Sequence, residues 1–266
     1  MTAHRVPENR KGRDGMDDQT LVTALIQARM KGSADPELSA AGRDLRQALT
    51  LQLAVLDRLV ASGEQLGGWK VGLTAGARRD VMGKDFRPFG YVLDSRIFRS
   101  SDALAHDEIT GCYLEPELCL VLGAPLQGDD IDPLAARAAV RAVAPAFELN
   151  EVRLPPGADD ATTVADGLGN WGLVLGPEAP VRPDLTETTV ELWRDDELVA
   201  AKTPGDSMDD PFLSLSRLCS LLHQYGCGLQ PGQRVITGSF CKYSVQGPGS
   251  WRANFSAIGE VAVRFR

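Results

Sequence analysis

The stretch Tyr113-Leu114-Glu115-Pro116-Glu117-Leu118-Cys119-Leu120-Val121-Leu122 lies between Gly111 and Gly123. It is apolar, β-compatible and closed by glycines, which predicts a strand. Strand side chains alternate between faces, so Glu115 and Glu117 point the same way. Adjacent carboxylates repel unless something neutralises them, and an all-oxygen donor set suits hard divalent ions such as Mg²⁺ or Mn²⁺. A third carboxylate, Glu148, stands in another strand-like run, Ala144-Pro145-Ala146-Phe147-Glu148-Leu149. The competing reading puts Glu115 and Glu117 on the solvated face of an edge strand. Pro116 favours it, because proline within a sheet settles at edges.

The rest of the chain narrows the setting. Its 266 residues, 43% of them hydrophobic, can build a substantial core. No apolar run approaches the length of a membrane-spanning helix. A net charge of −8 argues against sequence-independent nucleic-acid binding and against anionic membrane surfaces. Cys112, Cys119, Cys219, Cys227 and Cys241 are odd in number and lack zinc-site spacing. They read as free thiols of a cytoplasmic protein. His4, His106 and His223 are scattered and read as surface residues.

Residues 1–15 are basic and nearly devoid of apolar side chains, which predicts a disordered leader. Asp17 and Asp18 before Leu21, Leu25 and Ile26 suit a capped amphipathic helix. A second helix is expected over 43–62, with Gly63 at its end. Residues 16–66 therefore read as a helical N-terminal lobe and 67–266 as a β-rich body. Strand signals fall at Trp69–Leu73, Gly90–Leu93, Tyr113–Leu122, Pro145–Leu154, Gly172–Leu175, Thr188–Trp193, Arg234–Ile236 and Ala253–Phe265. Helices are expected at Asp132–Ala142, opened by Asp132-Pro133, and at Phe212–Tyr225. The class is α+β.

Several motifs together carry a family resemblance. They are Gly68-Trp69-Lys70-Val71-Gly72-Leu73-Thr74, Phe89-Gly90-Tyr91-Val92-Leu93-Asp94, Glu115-Pro116-Glu117 and Pro145-Ala146-Phe147-Glu148. Thr163-Val164-Ala165-Asp166, Leu229-Gln230-Pro231-Gly232 and Thr237-Gly238-Ser239 continue the series. In order and spacing, residues 20–265 resemble the 2-keto-4-pentenoate hydratase and 4-oxalocrotonate decarboxylase branch of the fumarylacetoacetate hydrolase superfamily. The resemblance implies a β-sandwich roll, one catalytic domain over 16–266 and a homo-oligomer. It also implies one Mg²⁺ or Mn²⁺ on Glu115, Glu117 and Glu148, and a short unsaturated 2-keto acid as substrate, with room for a complex with a pathway enzyme. Lys70 matches the family lysine, which would hold the substrate carboxylate or move a proton; otherwise it is a strand lysine with its stem packed. Asp166 matches an aspartate near the pocket, or else caps a helix. Arg153 matches a position that would orient a metal ligand. Phe89, Gly90 and Leu73 are expected along the substrate site, and Thr237 as a donor to a carboxylate or a turn residue.

The departures fall on the substrate side. Pro88 stands where hydratases commonly carry aspartate, and Gly167 and Gly169 where asparagine and serine are common. Trp171 arrives nearby, either to cover an apolar substituent or to pack the core. The hydroxyl and amide expected after Asp166 are therefore absent, while the three carboxylates remain.

Overall fold

The computed structural model describes residues 16–203 and 208–266; the leader expected over 1–15 lies outside them. Two helices open the described chain, α1 (Asp18–Lys31) and α2 (Leu45–Ala61). Asp17 caps α1 and Asp44 closes a capping box on α2, so each start satisfies its orphan amides locally. Gln52 of α2 is fully buried, and its amide donates to the carbonyls of Phe89 (2.9 Å) and Val164 (2.6 Å).

A large sheet follows. It contains β1 (Leu66–Val71), β2 (Phe89–Leu93), β3 (Ile97–Arg99), β5 (Tyr113–Leu122), β6 (Val140–Asn150), β7 (Asn170–Leu175) and β10 (Arg234–Ser239). The order is β2-β1-β10-β5-β6-β7-β3, with the two-residue β11 (Tyr243–Ser244) also on β5. A second, five-stranded sheet runs β4-β13-β12-β8-β9. Its members are β4 (Ala103–Leu104), β8 (Val190–Arg194), β9 (Glu197–Lys202), β12 (Gly249–Phe255) and β13 (Gly259–Phe265). Three further helices, α3 (Pro133–Ala138), α4 (Asp160–Ala165) and α5 (Pro211–His223), complete an α+β architecture.

The large sheet curls until β2 meets β7. Register fixes what lies inside. Residues directly opposite in a ladder share a face, and the pairs Lys70↔Ile236, Ile236↔Cys119, Cys119↔Ala144, Glu117↔Ala146 and Glu115↔Glu148 run across it. Val92, Cys119, Ala144, Ala146, Leu173 and Ile236 form a small apolar core of their own. The tight curl is possible because several of these side chains are small. The three glutamates and Lys70 sit on that same inner face, beyond this plug. The outer face packs against the second sheet and α5.

Five expectations change. Pro116 is not on an edge, since β5 lies between β10 and β6. The β5–β10 register breaks between Ile236 and Ser239, and the Pro116 carbonyl accepts from Phe240 N (3.0 Å). The proline nitrogen faces this irregular interval, so no ladder bond is lost. The helix expected over 132–142 ends at Ala138, because Val140 and Ala142 pair with Leu122 and Val121 and begin β6. That strand stops at Asn150 rather than Leu154. The run Ala253–Phe265 is not one strand: it holds the end of β12, the turn at 256–258 and all of β13. His106 is half-buried, its Nε2 2.9 Å from the Val245 carbonyl, rather than a free surface group. All five cysteines are free thiols, and no helix among the described residues is long and apolar enough to cross a membrane.

Gly68 tests this register. A Cβ there would stand 1.9 Å from the Arg234 carbonyl oxygen, backbone that cannot swing aside. Gly68→Ala should lower unfolding stability by about 3 kcal/mol or more, read from the urea midpoint. An unchanged midpoint would contradict the β1–β10 pairing.

Candidate metal centre

Oxygen atoms of Glu115, Glu117 and Glu148 lie within 4.8 Å of one another, the only such cluster among the described residues. Glu117 and Glu148 are 3% and 1% exposed. Each carboxylate is held by one oxygen. Glu148 Oε1 receives Lys70 Nζ at 2.5 Å and Asn170 Nδ2 at 2.7 Å. Glu117 Oε2 accepts from Gly238 N at 2.8 Å, and Glu115 Oε1 stands 3.4 Å from Lys242 Nζ. The opposite oxygens carry none of these contacts. The arrangement therefore offers one oxygen from each of three carboxylates.

Charge does not balance inside the protein. Three carboxylates face one buried ammonium, Lys70, leaving two negative charges beside an apolar plug; Lys242 is half exposed at the rim. Burial, then the charges of Glu148 and Glu115, push the Glu117 carboxyl well above the ordinary value of 4.5. Burial and Glu148 raise Glu115 as well. Burial opposes the charge on Lys70, but Glu148, Glu115 and Glu117 outweigh it and hold its pKa above the usual lysine value. The lowering that a proton-carrying Lys70 would need is absent with the carboxylates alone around it. A hard divalent cation fits this set: its donors are all oxygen, and its charge equals the deficit.

The cluster opens into a cavity of about 630 Å³. Leu73, Met82, Leu168, Met208 and Phe240 give it an apolar wall; Asn150, Thr74 and Ser239 are among its polar groups, with Lys202 and Lys242 also on the wall. Leu73 (φ 57°) and Leu168 (φ 60°) hold left-handed backbone, at a cost of about 1–3 kcal/mol each. The Leu168 carbonyl lies 3.5 Å from Lys70 Nζ. Gly90 lies beneath Lys70, where a Cβ would come within 2.7 Å of Lys70 Cγ.

The other expected residues stand off this wall. Phe89 is buried edge-on to Trp69 (5.4 Å) and Tyr225 (5.9 Å). Trp171 stacks on Phe98 (5.5 Å) and carries the Arg96 guanidinium at 4.3 Å, so its packing role is the one seen. Thr237 is 1% exposed and does not line the cavity. Asp166 also lies off the wall, paired at 2.7 Å with Arg153. Arg153 binds Glu151 too and, with Arg29, reaches the Asn170 carbonyl.

Asn150 and Asn170 are the polar residues that sequence reading missed. Asn150 follows Glu148 by two in a strand, so alternation could have found it. Asn170 could not be found that way. Leu149 pairs with Gly172 but Asn150 pairs with Asn170, leaving Trp171 as an extra, bulged residue. The bulge turns Asn170 onto the Glu148 face. An amide after Asp166 thus does reach the carboxylates, from position 170.

Glu117→Gln separates metal chemistry from structure. A carboxyl raised in the folded state stabilises fully below its unfolded pKa and loses that contribution as pH rises through the folded value. At pH 7–8 with chelator, the variant should melt no lower than wild type, since the amide oxygen can still accept from Gly238 N. Mg²⁺ should raise the wild-type Tm and leave the variant's unchanged. A lower Tm in chelator, or equal Mg²⁺ stabilisation, would contradict the charge imbalance.

No family model matches the chain. It is 26% identical over 249 residues to a 4-oxalocrotonate decarboxylase from Pseudomonas sp, covering 90% of this chain and 94% of that one. It is also 26% identical over 219 residues to a 2-hydroxypent-2,4-dienoate hydratase from Pseudomonas putida, covering 79% and 99%. The fold superposes with TM-score 0.84 on 4-oxalocrotonate decarboxylase from Pseudomonas putida G7 complexed with magnesium and adipate, at 22% identity and 94% and 97% coverage. A putative fumarylacetoacetate hydrolase family protein from Yersinia pestis CO92 superposes with TM-score 0.56 at 13% identity, over 77% of this chain and 94% of that one. Over most of its length the sequence is similar to 2-keto-4-pentenoate hydratases and 4-oxalocrotonate decarboxylases, and the fold is that of 4-oxalocrotonate decarboxylase.

Proposed function

We propose that this protein is a divalent-metal-dependent lyase acting on a short unsaturated 2-keto acid, with hydration favoured over decarboxylation. The observation that carries the reading is the trio of carboxylates, two buried and one half-buried, each with one oxygen held, around one buried ammonium with a second lysine at the rim. Relatives named as hydratases and as decarboxylases support both outcomes at such a centre. In this reading Glu115, Glu117 and Glu148 hold Mg²⁺ or Mn²⁺, and the magnesium complex of the decarboxylase from Pseudomonas putida G7 supports the choice of Mg²⁺. The cation would supply Lewis-acid stabilisation of the negative charge that develops on the 2-oxygen in a dienolate.

The chain's own groups do the rest. Lys70 presents a buried ammonium to the substrate carboxylate; it would move a proton only with a cation neutralising the carboxylates that hold its pKa up. Asn170 and Lys70 fix Glu148 so that it offers a single oxygen. Leu73, Leu168, Met82, Met208 and Phe240 surround the unsaturated carbons and exclude bulk water from them. Arg153 holds Asp166 and Asn170 and so acts on Glu148 from behind. The two N-terminal helices serve as a lobe bracing β2 and α4 through Gln52. The resemblance carries the further expectations of a homo-oligomer, a cytoplasmic setting and a complex with a pathway enzyme.

The test is a screen of 2-hydroxydienoates of five to seven carbons with Mg²⁺ or Mn²⁺. Loss of dienoate absorbance without CO₂ marks a hydratase, and CO₂ release a decarboxylase. Lys70→Met should lower kcat/KM by about 10²-fold or more while Mg²⁺ still binds. A folded wild type that binds neither metal nor keto acid would overturn the reading.

A further inference from the structure

Asn150 closes β6 on the same face as Glu148 and lines the cavity, yet is only 6% exposed. One end of its amide lies 3.3 Å from Lys70 Nζ. A lysine ammonium only donates, so the atom facing it must be the carbonyl oxygen Oδ1. That chemistry fixes the amide's orientation and leaves Nδ2 as the other end. Nδ2 is buried and has no acceptor among the described residues. A buried donor without a partner is costly, and a cavity wall is where a ligand can relieve that cost.

From this we propose that Asn150 is a substrate-contacting residue whose Nδ2 donates to an anionic oxygen of the bound 2-keto acid. The inference rests on the metal-dependent keto-acid reading above and adds a named donor to it. The surroundings favour an oxygen anion over other ligands. Lys70 stands beside Asn150, and Lys202 and Lys242 also line the cavity. Lys70 Nζ and Asn150 Nδ2 then form a pair of donors, one charged and one neutral, beside the carboxylates that would hold the metal. One protein group competes for Nδ2. Asn170 Oδ1, on the register partner of Asn150, is buried and also without a partner. The two amides do not pair in this arrangement, but a cross-strand amide bond would give Asn150 a purely structural role.

The two roles differ in what they move. The probe is oxalate, a mimic of the enolate's two chelating oxygens, titrated calorimetrically into full-length protein in Mg²⁺. Asn150→Leu removes the donor, together with the acceptor facing Lys70, without adding charge. Oxalate affinity should fall about tenfold or more, with the Mg²⁺ affinity within about twofold of wild type and the Tm in chelator not lowered. Asn150→Asp keeps the shape and the Lys70 contact but replaces the donor by an acceptor; it should weaken oxalate further, and it serves if the leucine variant does not fold. Oxalate affinity within about twofold of wild type in a folded, Mg²⁺-binding variant would overturn the proposal. A lowered Tm with unchanged oxalate affinity would assign Nδ2 to Asn170 instead. A wild type that binds Mg²⁺ but no oxalate would overturn the inference and leave the metal centre standing. A wild type that binds neither would overturn both.

Discussion

Three carboxylates that share one buried ammonium inside a curled sheet are the constraint from which the rest follows. Burying a carboxylate is costly unless it is paired and hydrogen-bonded. Here three are buried or half-buried on one face with one lysine among them. Among the described residues the one further cation at the cluster is Lys242, half exposed at the rim and 3.4 Å from Glu115 Oε1. The protein supplies neutral donors, the Gly238 amide and the Asn170 side chain, each to one oxygen. On the proposed reading the fold spends stability to keep a divalent binding geometry ready, which is how preorganised electrostatic sites work.

The roll makes that geometry possible. Small inward residues such as Ala144, Ala146 and Cys119 let the sheet close into a plug. Gly68 and Gly90 let β10 and the Lys70 stem approach β1 and β2 at distances no Cβ would permit. Behind Glu148, Arg29 and Arg153 converge on the Asn170 carbonyl, tying the first helix and the loop after β6 to the same ligand. The polar support is therefore as extensive as the cluster itself.

Much of this was legible in the sequence, for identifiable reasons. Period-2 alternation joined Glu115 to Glu117; Glu148, a carboxylate in another strand-like run, joined them by resemblance, and the structure sets it opposite Glu115. Aspartate caps marked the helix starts at Asp17 and Asp132. What stayed hidden depends on pairing between distant strands. Pro116 reads as an edge residue until the break in the β5–β10 register is known. The end of α3 at Ala138 reflects the demand of β5 for a partner strand, which local helix propensity does not record. Asn170 reads as facing away from Leu173 until the bulge at Trp171 reverses it. Phe89 and Thr237 carried substrate expectations by resemblance and Trp171 as a departure from it, and their packed settings became visible only in three dimensions.

The central claim is that the free oxygens of Glu115, Glu117 and Glu148 share one divalent ion. A crystal structure of the protein grown with Mn²⁺, with anomalous differences measured at the manganese edge, tests it most directly. The account predicts a single strong peak among the three carboxylates, each contributing one oxygen, with Gly238 N and Asn170 Nδ2 still on Glu117 and Glu148. Ordered, well-formed carboxylates with no anomalous peak between them, or manganese bound elsewhere in the cavity, would contradict it.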